Sequence, residues 1–175
     1  MLVEVHPALT WKQSIQKRIE KNRDIPVSDR SAFGWMLWLM HLPVPVLEQI
    51  DRRLHFHATL RKNILSASAL YAKLESFVSK RPSQCVAILE NFPLASIRTV
   101  YLAAPKGETR RNIGMYLENW RHVKPRTTGH TLKKLGLKPG PVYQKILWDL
   151  RSGWLDGRIT SFDQEKKRLQ VLVKE

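Results

Sequence analysis

The chain is 175 residues long, 43% hydrophobic and 26% charged, which is enough apolar material for a packed core and excludes disorder over most of the length. Lys and Arg number 30 against 15 Asp and Glu, a formal net charge of +15; such a field gathers a polyanion, either nucleic acid or an acidic membrane surface, and says nothing of fold. The single cysteine, Cys85, excludes an internal disulfide framework and a cysteine-rich zinc site, no apolar run reaches the roughly 18 residues that span a bilayer, and the first residues lack the layout of a secretory signal. The expectation is a basic domain of the reducing cytoplasm with no membrane partner.

Thr10-Trp11-Lys12-Gln13 has the pattern of a capping box, after which Trp11, Ile15 and Ile19 recur at every fourth residue. Asp24-Ile25-Pro26-Val27 breaks that pattern. Ser28 to Leu42, with Phe33, Trp35, Met36, Leu37, Trp38, Leu39 and Met40, is apolar nearly all round and predicts a central buried helix. Pro43-Val44-Pro45 ends it, and Pro45 suits the first turn of the next helix, where an N–H would have no partner. Val46, Leu47, Ile50 and Leu54 continue at helical spacing. Further helices are predicted at about 57–66, 68–80, 83–91, 94–104 and 108–121, punctuated by Arg81-Pro82-Ser83, Phe92-Pro93 and Pro105-Lys106-Gly107. Connections this short imply roughly antiparallel neighbours.

Alternating β-branched runs are absent, and Asp156-Gly157 is followed only by Arg158-Ile159-Thr160, too little to build a sheet. Ser161-Phe162-Asp163-Gln164 is a second capping box, opening a last helix toward Val173. The predicted fold class is therefore all-α: a multi-helix bundle of about eight to ten helices with no sheet. Val-Lys-Pro-Arg-Thr-Thr-Gly at 123–129 reads as a linker between a helical body-like subdomain, 1–122, and a helical tail-like subdomain, 130–175.

Signatures of chemistry are scarce. His55 and His57 are two apart, which on a helix points them in different directions, and His6, His41, His122 and His130 are isolated, so no metal site is expected. No Gly-x-Ser-x-Gly elbow, phosphate-binding Gly-x-x-x-x-Gly-Lys loop or paired carboxylates are present, and Cys85 lies on an apolar helical face as a small core residue. Trp35, Trp38 and Trp148 are expected in the core. Trp120 and Trp154, set among basic residues, suit core packing and base stacking equally.

Charge becomes lopsided after residue 105. Between Lys106 and Lys145 the acids are Glu108 and Glu118, against ten basic residues. The candidate nucleic-acid contacts are Arg110, Arg111, Arg121, Lys124, Arg126, Lys133, Lys134, Lys138 and Lys145, together with the backbone at Gly140. Within this window Gly129 to Leu150 predicts a short helix stopped by Gly136, a tight Lys138-Pro139-Gly140-Pro141 turn, and a longer helix beginning at Pro141. The N–H groups of Gly140, Val142, Tyr143 and Gln144, flanked by lysines, form a candidate phosphate seat. The same residues also serve as a rigid turn between packed helices with solvated lysines.

Gly129-His130-x-Leu132-x-x-Leu135-Gly136-Leu137-Lys138-Pro139-Gly140-Pro141, followed by Ile146-Leu147 and Leu155-Asp156-Gly157, resembles the C-terminal region of bacterial CCA-adding tRNA nucleotidyltransferases and related poly(A) polymerases. About 30 residues carry the resemblance sharply; Ile113-Gly114-Met115-Tyr116-Leu117 and the earlier helices are compatible with that family's helical body. Thr131 departs from the Asp usual there, and Lys133-Lys134 and Tyr143-Gln144 also differ. The resemblance implies a helical body and tail that holds tRNA and positions its 3′ end. The family's Asp-x-Asp pair and Gly-rich strand-turn occur nowhere in this chain. Catalytic residues are thus expected in an N-terminal head outside it, where Mg2+ and ATP or CTP would belong, so the chain by itself carries no cofactor and is read as a fragment of a nucleotidyltransferase. The alternatives are a helix-hairpin-helix-like DNA-binding module and a non-catalytic protein-interaction domain.

Overall fold

In a computed structural model, residues 6, 7, 9, 13–21 and 27–174 are described. Among them are ten α-helices and no strand: α1 (Gln13–Lys21), α2 (Val27–Leu39), α3 (Val44–Leu54), α4 (Ala58–Tyr71), α5 (Pro82–Leu89), α6 (Leu94–Ala103), α7 (Glu108–Glu118), α8 (Gly129–Lys134), α9 (Pro141–Leu155) and α10 (Phe162–Lys174). Two 3-10 turns, Leu74–Phe77 and Trp120–His122, follow α4 and α7. The molecule is all-α, as its periodicity predicts. No described helix is long and apolar enough to cross a membrane. The Thr10–Gln13 capping box falls largely outside the described residues.

One difference in the element boundaries has a clear cause. The two helices expected at 57–66 and 68–80 are one helix, α4, followed by the 3-10 turn. Ser66-Ala67-Ser68 does not interrupt it, because Ala67 and Ser68 are buried. The Ser68 hydroxyl donates to the Leu42 carbonyl at 2.7 Å, so the small residues serve close packing instead of a turn. At its start His57 is the N-cap, Nδ1 accepting from the Leu60 N–H.

The chain divides into two units. The first comprises Met1–Ser79 and Ile88–Gly114. Its core is α2, α4 and α6 packed on one another, with Phe33, Met36, Leu37 and Leu39 of α2, and Met40 just after it, buried. Trp35 and Trp38, expected in the core, are only half-buried; their ring centroids lie 5.3 Å apart, and Phe56 meets Trp35 edge-on at 5.1 Å. The exit of the first 3-10 turn is pinned by α7: Glu108 accepts from the Ser79 N–H, and Asn112 donates to the Phe77 carbonyl.

The second unit comprises Lys80–Ala87 and Met115–Glu175. Here Leu132 of α8, Ile146 and Leu150 of α9, Ile159 of the α9–α10 connection and Leu169 of α10 form one buried cluster. Trp154 packs against that cluster, which resolves its two sequence readings in favour of the core. Trp148 does not pack as expected. It is 37% exposed, with the Arg151 guanidinium over its ring at 5.7 Å, because the helix turns Ile146 and Leu150 inward instead. Residues 123–129, read from sequence as a linker, lie inside this second unit.

Candidate nucleic-acid interface

The α8–turn–α9 segment is built by local backbone chemistry. Thr128 caps α8, its hydroxyl accepting from the Thr131 N–H while the Thr131 side chain answers the Thr128 N–H, a reciprocal capping box. At the other end Gly136 has φ +82°, a left-handed conformation that other residues adopt at a cost. The Gly136 N–H returns to the Lys133 carbonyl and the Leu137 N–H to the Leu132 carbonyl, the paired bonds of a Schellman stop. Tyr143 then locks the turn, its hydroxyl donating to the Leu137 carbonyl at 2.9 Å. Gly140 is the N-cap of α9 in extended backbone, with Pro141 next, and no side chain caps this helix start. One of the four donors expected there is taken: the Tyr143 N–H bonds to the Gly140 carbonyl.

Three acids tie this segment to its surroundings from within. Glu165 of α10 has no exposed surface. Its carboxylate accepts from the Arg126 N–H (3.1 Å), the Thr127 N–H (2.7 Å), the Thr127 hydroxyl (2.6 Å) and the Trp154 indole N–H. Burial pushes its pKa up, but the bonds from the Thr127 and Trp154 side chains and from the two backbone N–H groups prevail, and the net direction is down. The Val123 carbonyl also accepts from Arg151 Nε. The 123–129 segment is thus held to α9 and α10 by its own backbone.

Asp149 of α9 and Arg168 of α10 make a bidentate pair at 2.7 and 2.8 Å. That hydrogen bond holds the Asp149 carboxyl below its ordinary range against the effect of burial, with charge from Arg168, Arg158 and Lys145 adding to it. Asp156, the C-cap of α9, accepts from both the N–H and the hydroxyl of Ser83 at 2.9 Å, in the first turn of α5. Gly157 behind it has φ +72°. The Leu155-Asp156-Gly157 motif therefore supplies a buried side chain, a helix cap and a left-handed turn in three consecutive residues.

The consequence is electrostatic. These carboxylates are buried, capping or paired, whereas several lysines of the same unit stand in water. Lys124, Arg126, Lys133, Lys134, Lys138 and Lys145 are all exposed, as is Gly140. Lys133 and Lys134 occupy the last turn of α8, favourably placed at the negative end of its dipole. The Arg126 guanidinium lies 5.4 Å from the Phe162 ring centroid. Arg121 is half-buried in the second 3-10 turn, where its Nε donates to His122 Nε2 at 2.9 Å. Arg110 and Arg111 belong to the first unit. Arg111 is exposed, but Arg110 is half-buried over Tyr101 and donates to the Ala104 carbonyl. The structure thus assigns most of the candidates to the second unit and these two to the first.

The sequence reading singles out neither the Thr127–Glu165 pair nor the Ser83–Asp156 pair. Their signal in the sequence is faint, since a lone Glu in a basic helix and a Thr in a Pro-containing segment are both ordinary surface patterns. In the second capping box, Ser161 accepts from the Gln164 N–H as expected, but the Gln164 side chain reaches back to the Thr160 N–H and hydroxyl.

No protein-family model and no curated protein matches the chain. Among solved structures, a Thermotoga maritima CCA-adding enzyme complexed with tRNA superposes with a TM-score of 0.68 at 19% identity, over 99% of this chain and 44% of that one. The chain carries a CCA-adding-enzyme-like fold. A CCA-adding enzyme in complex with ATP superposes similarly, with a TM-score of 0.63, 18% identity, and coverage of 99% and 43%. The chain thus spans less than half the length of these CCA-adding enzymes.

Proposed function

We propose that this chain is an RNA-holding helical portion of a CCA-adding or poly(A)-polymerase-type enzyme of the cytoplasm, its region from residue 130 onward acting as the tail. In this reading it grips structured RNA, tRNA first, and presents the 3′ end to a nucleotidyltransferase head supplied by another part of the enzyme, where ATP or CTP and Mg2+ are handled. The observation that carries it is the likeness, along 99% of the chain, to an enzyme complexed with tRNA. The exposed lysines of α8, the turn and α9, beside carboxylates turned inward, give it a physical basis. Cationic side chains on a rigid frame release counterions from RNA phosphates and recognise shape more than sequence. Binding free energy gained on the remote tRNA surface then positions the reacting end.

A filter-binding titration of tRNA against salt tests this. Log affinity is expected to fall linearly with log salt, with a slope of roughly −0.7 to −0.9 per phosphate engaged. Affinity that is absent or indifferent to salt removes the reading. Gly136 in its left-handed stop between two helices is also suited to a helix-hairpin-helix, so duplex DNA serves as competitor; DNA that displaces tRNA at equal concentration would select that alternative.

A further inference from the structure

Beside the lysine-bearing face, α8 and α10 enclose a groove of about 480 Å3 lined by Thr131, Leu135, Lys166, Leu169, Gln170 and Val173. Leu169 is its buried floor and belongs to the core cluster; Val173 is partly buried against the same cluster. Leu135, at the C-cap of α8, is 50% exposed. Apolar surface left in water beside an open apolar trough lowers its free energy when another apolar group fills the space.

The one charged side chain among the lining residues is a lysine. Lys166 itself lines the groove, and its acidic neighbour Asp163 stands 4.0 Å away and mostly in solvent. On α8, Lys134 falls at the edge of the face that Thr131 and Leu135 present, and is exposed. A second copy of the chain would bring the same lysines to the rim and be repelled. RNA phosphates would meet the lysines but offer nothing to Leu135, Leu169 and Val173. An occupant that satisfies both features carries aliphatic side chains on one stripe and carboxylates beside it.

The geometry points to an acidic amphipathic helix of a partner protein as the occupant of this groove. Its leucine-type side chains at i and i+4 enter between α8 and α10, and flanking glutamates face Lys134 and Lys166. The inference does not rest on the RNA reading, since a chain that fails to bind tRNA still presents the groove.

The test is fluorescence anisotropy of the whole chain with three designed helical peptides: one with Leu at i, i+4 and i+7 flanked by Glu, one with Ser for each Leu, and one with Lys for each Glu. The Leu–Glu peptide is expected to bind, and the other two to bind at least about tenfold more weakly. Leu135→Glu is expected to weaken the Leu–Glu peptide by a similar factor, and Leu135→Met to retain it. Lys166→Glu is expected to reverse the preference toward the Lys-bearing peptide, which covers the case in which Leu135→Glu loses helicity. No binding of the Leu–Glu peptide overturns the inference, as does equal binding of the Ser peptide. Loss of tRNA affinity in Leu135→Glu with peptide binding unchanged also overturns it, by assigning the groove to RNA.

Discussion

Glu165 receives four hydrogen bonds in a site closed to water, so its ionised form is built into the fold of the second unit. With its folded pKa below the ordinary value of 4.5, it contributes stability that is present above that value and lost as pH falls through the lowered one. Glu165→Gln keeps the shape but turns an NH2 donor toward other donors, and is expected to cost about 2–3 kcal/mol. Urea denaturation at neutral pH checks this, and repeated toward acid pH the variant should lose less than the parent chain. Gly153 makes a second residue-scale case. A Cβ there would stand 2.5 Å from Ile159 Cδ1 and 2.8 Å from Cγ1, and Ile159 is buried in the core cluster. Gly153→Ala is expected to destabilise by about 1–3 kcal/mol. Adding Ile159→Val should recover part of that loss in thermal melts, a non-additivity expected of touching residues.

At the scale of elements, α8 is six residues long and depends on its ends. An isolated helix of that length has no stability of its own; the Thr128 cap, the Gly136 stop and burial of Leu132 hold it. Gly136→Ala is expected to cost about 1 kcal/mol through its positive φ, measurable as a lowered denaturation midpoint. Lys133→Glu combined with Lys134→Glu changes only exposed side chains. On the proposed function this pair should leave the circular dichroism spectrum unchanged and weaken tRNA binding by tenfold or more, as filter binding would show; unchanged affinity would move the RNA contact elsewhere. The elements themselves were legible where punctuation is chemical, as at Pro43-Val44-Pro45, Gly136 and Pro139-Gly140-Pro141. The boundary expected between 66 and 68 does not form, since small residues such as Ser66, Ala67 and Ser68 suit either a turn or a close helix approach and only the neighbour distinguishes the two.

For the molecule as a whole, a net charge of +15 with few acids left on the surface of the second unit makes long-range attraction to polyanions unavoidable. The proposed division of labour predicts that the chain alone, given labelled ATP or CTP and tRNA lacking its 3′ end, incorporates no nucleotide; incorporation above background would show that a reactive centre lies within it. The candidate interface was legible only in outline. The basic window and the Leu-Gly-Leu-Lys-Pro-Gly-Pro segment are contiguous in the chain, so composition and motif reveal them. That Arg110 is turned into a hydrogen bond with Ala104 and a ring contact with Tyr101, while Lys133 and Lys134 stand free in solvent, is not visible in composition.

What the amino-acid sequence determined by itself was the helical class, the local stops and caps, and the sign of the charge, because these depend on residues within about one helical turn of each other or on simple counting. Only the tertiary structure decided that Glu165 is buried, that Asp156 caps a helix 73 residues away in sequence, that Trp148 faces water and Trp154 the core, and that α8 and α10 leave a groove between them. Each of those outcomes turns on which helix faces meet, and that is set by the summed packing of distant segments, where one alternative pairing differs from another by energies that no single residue carries.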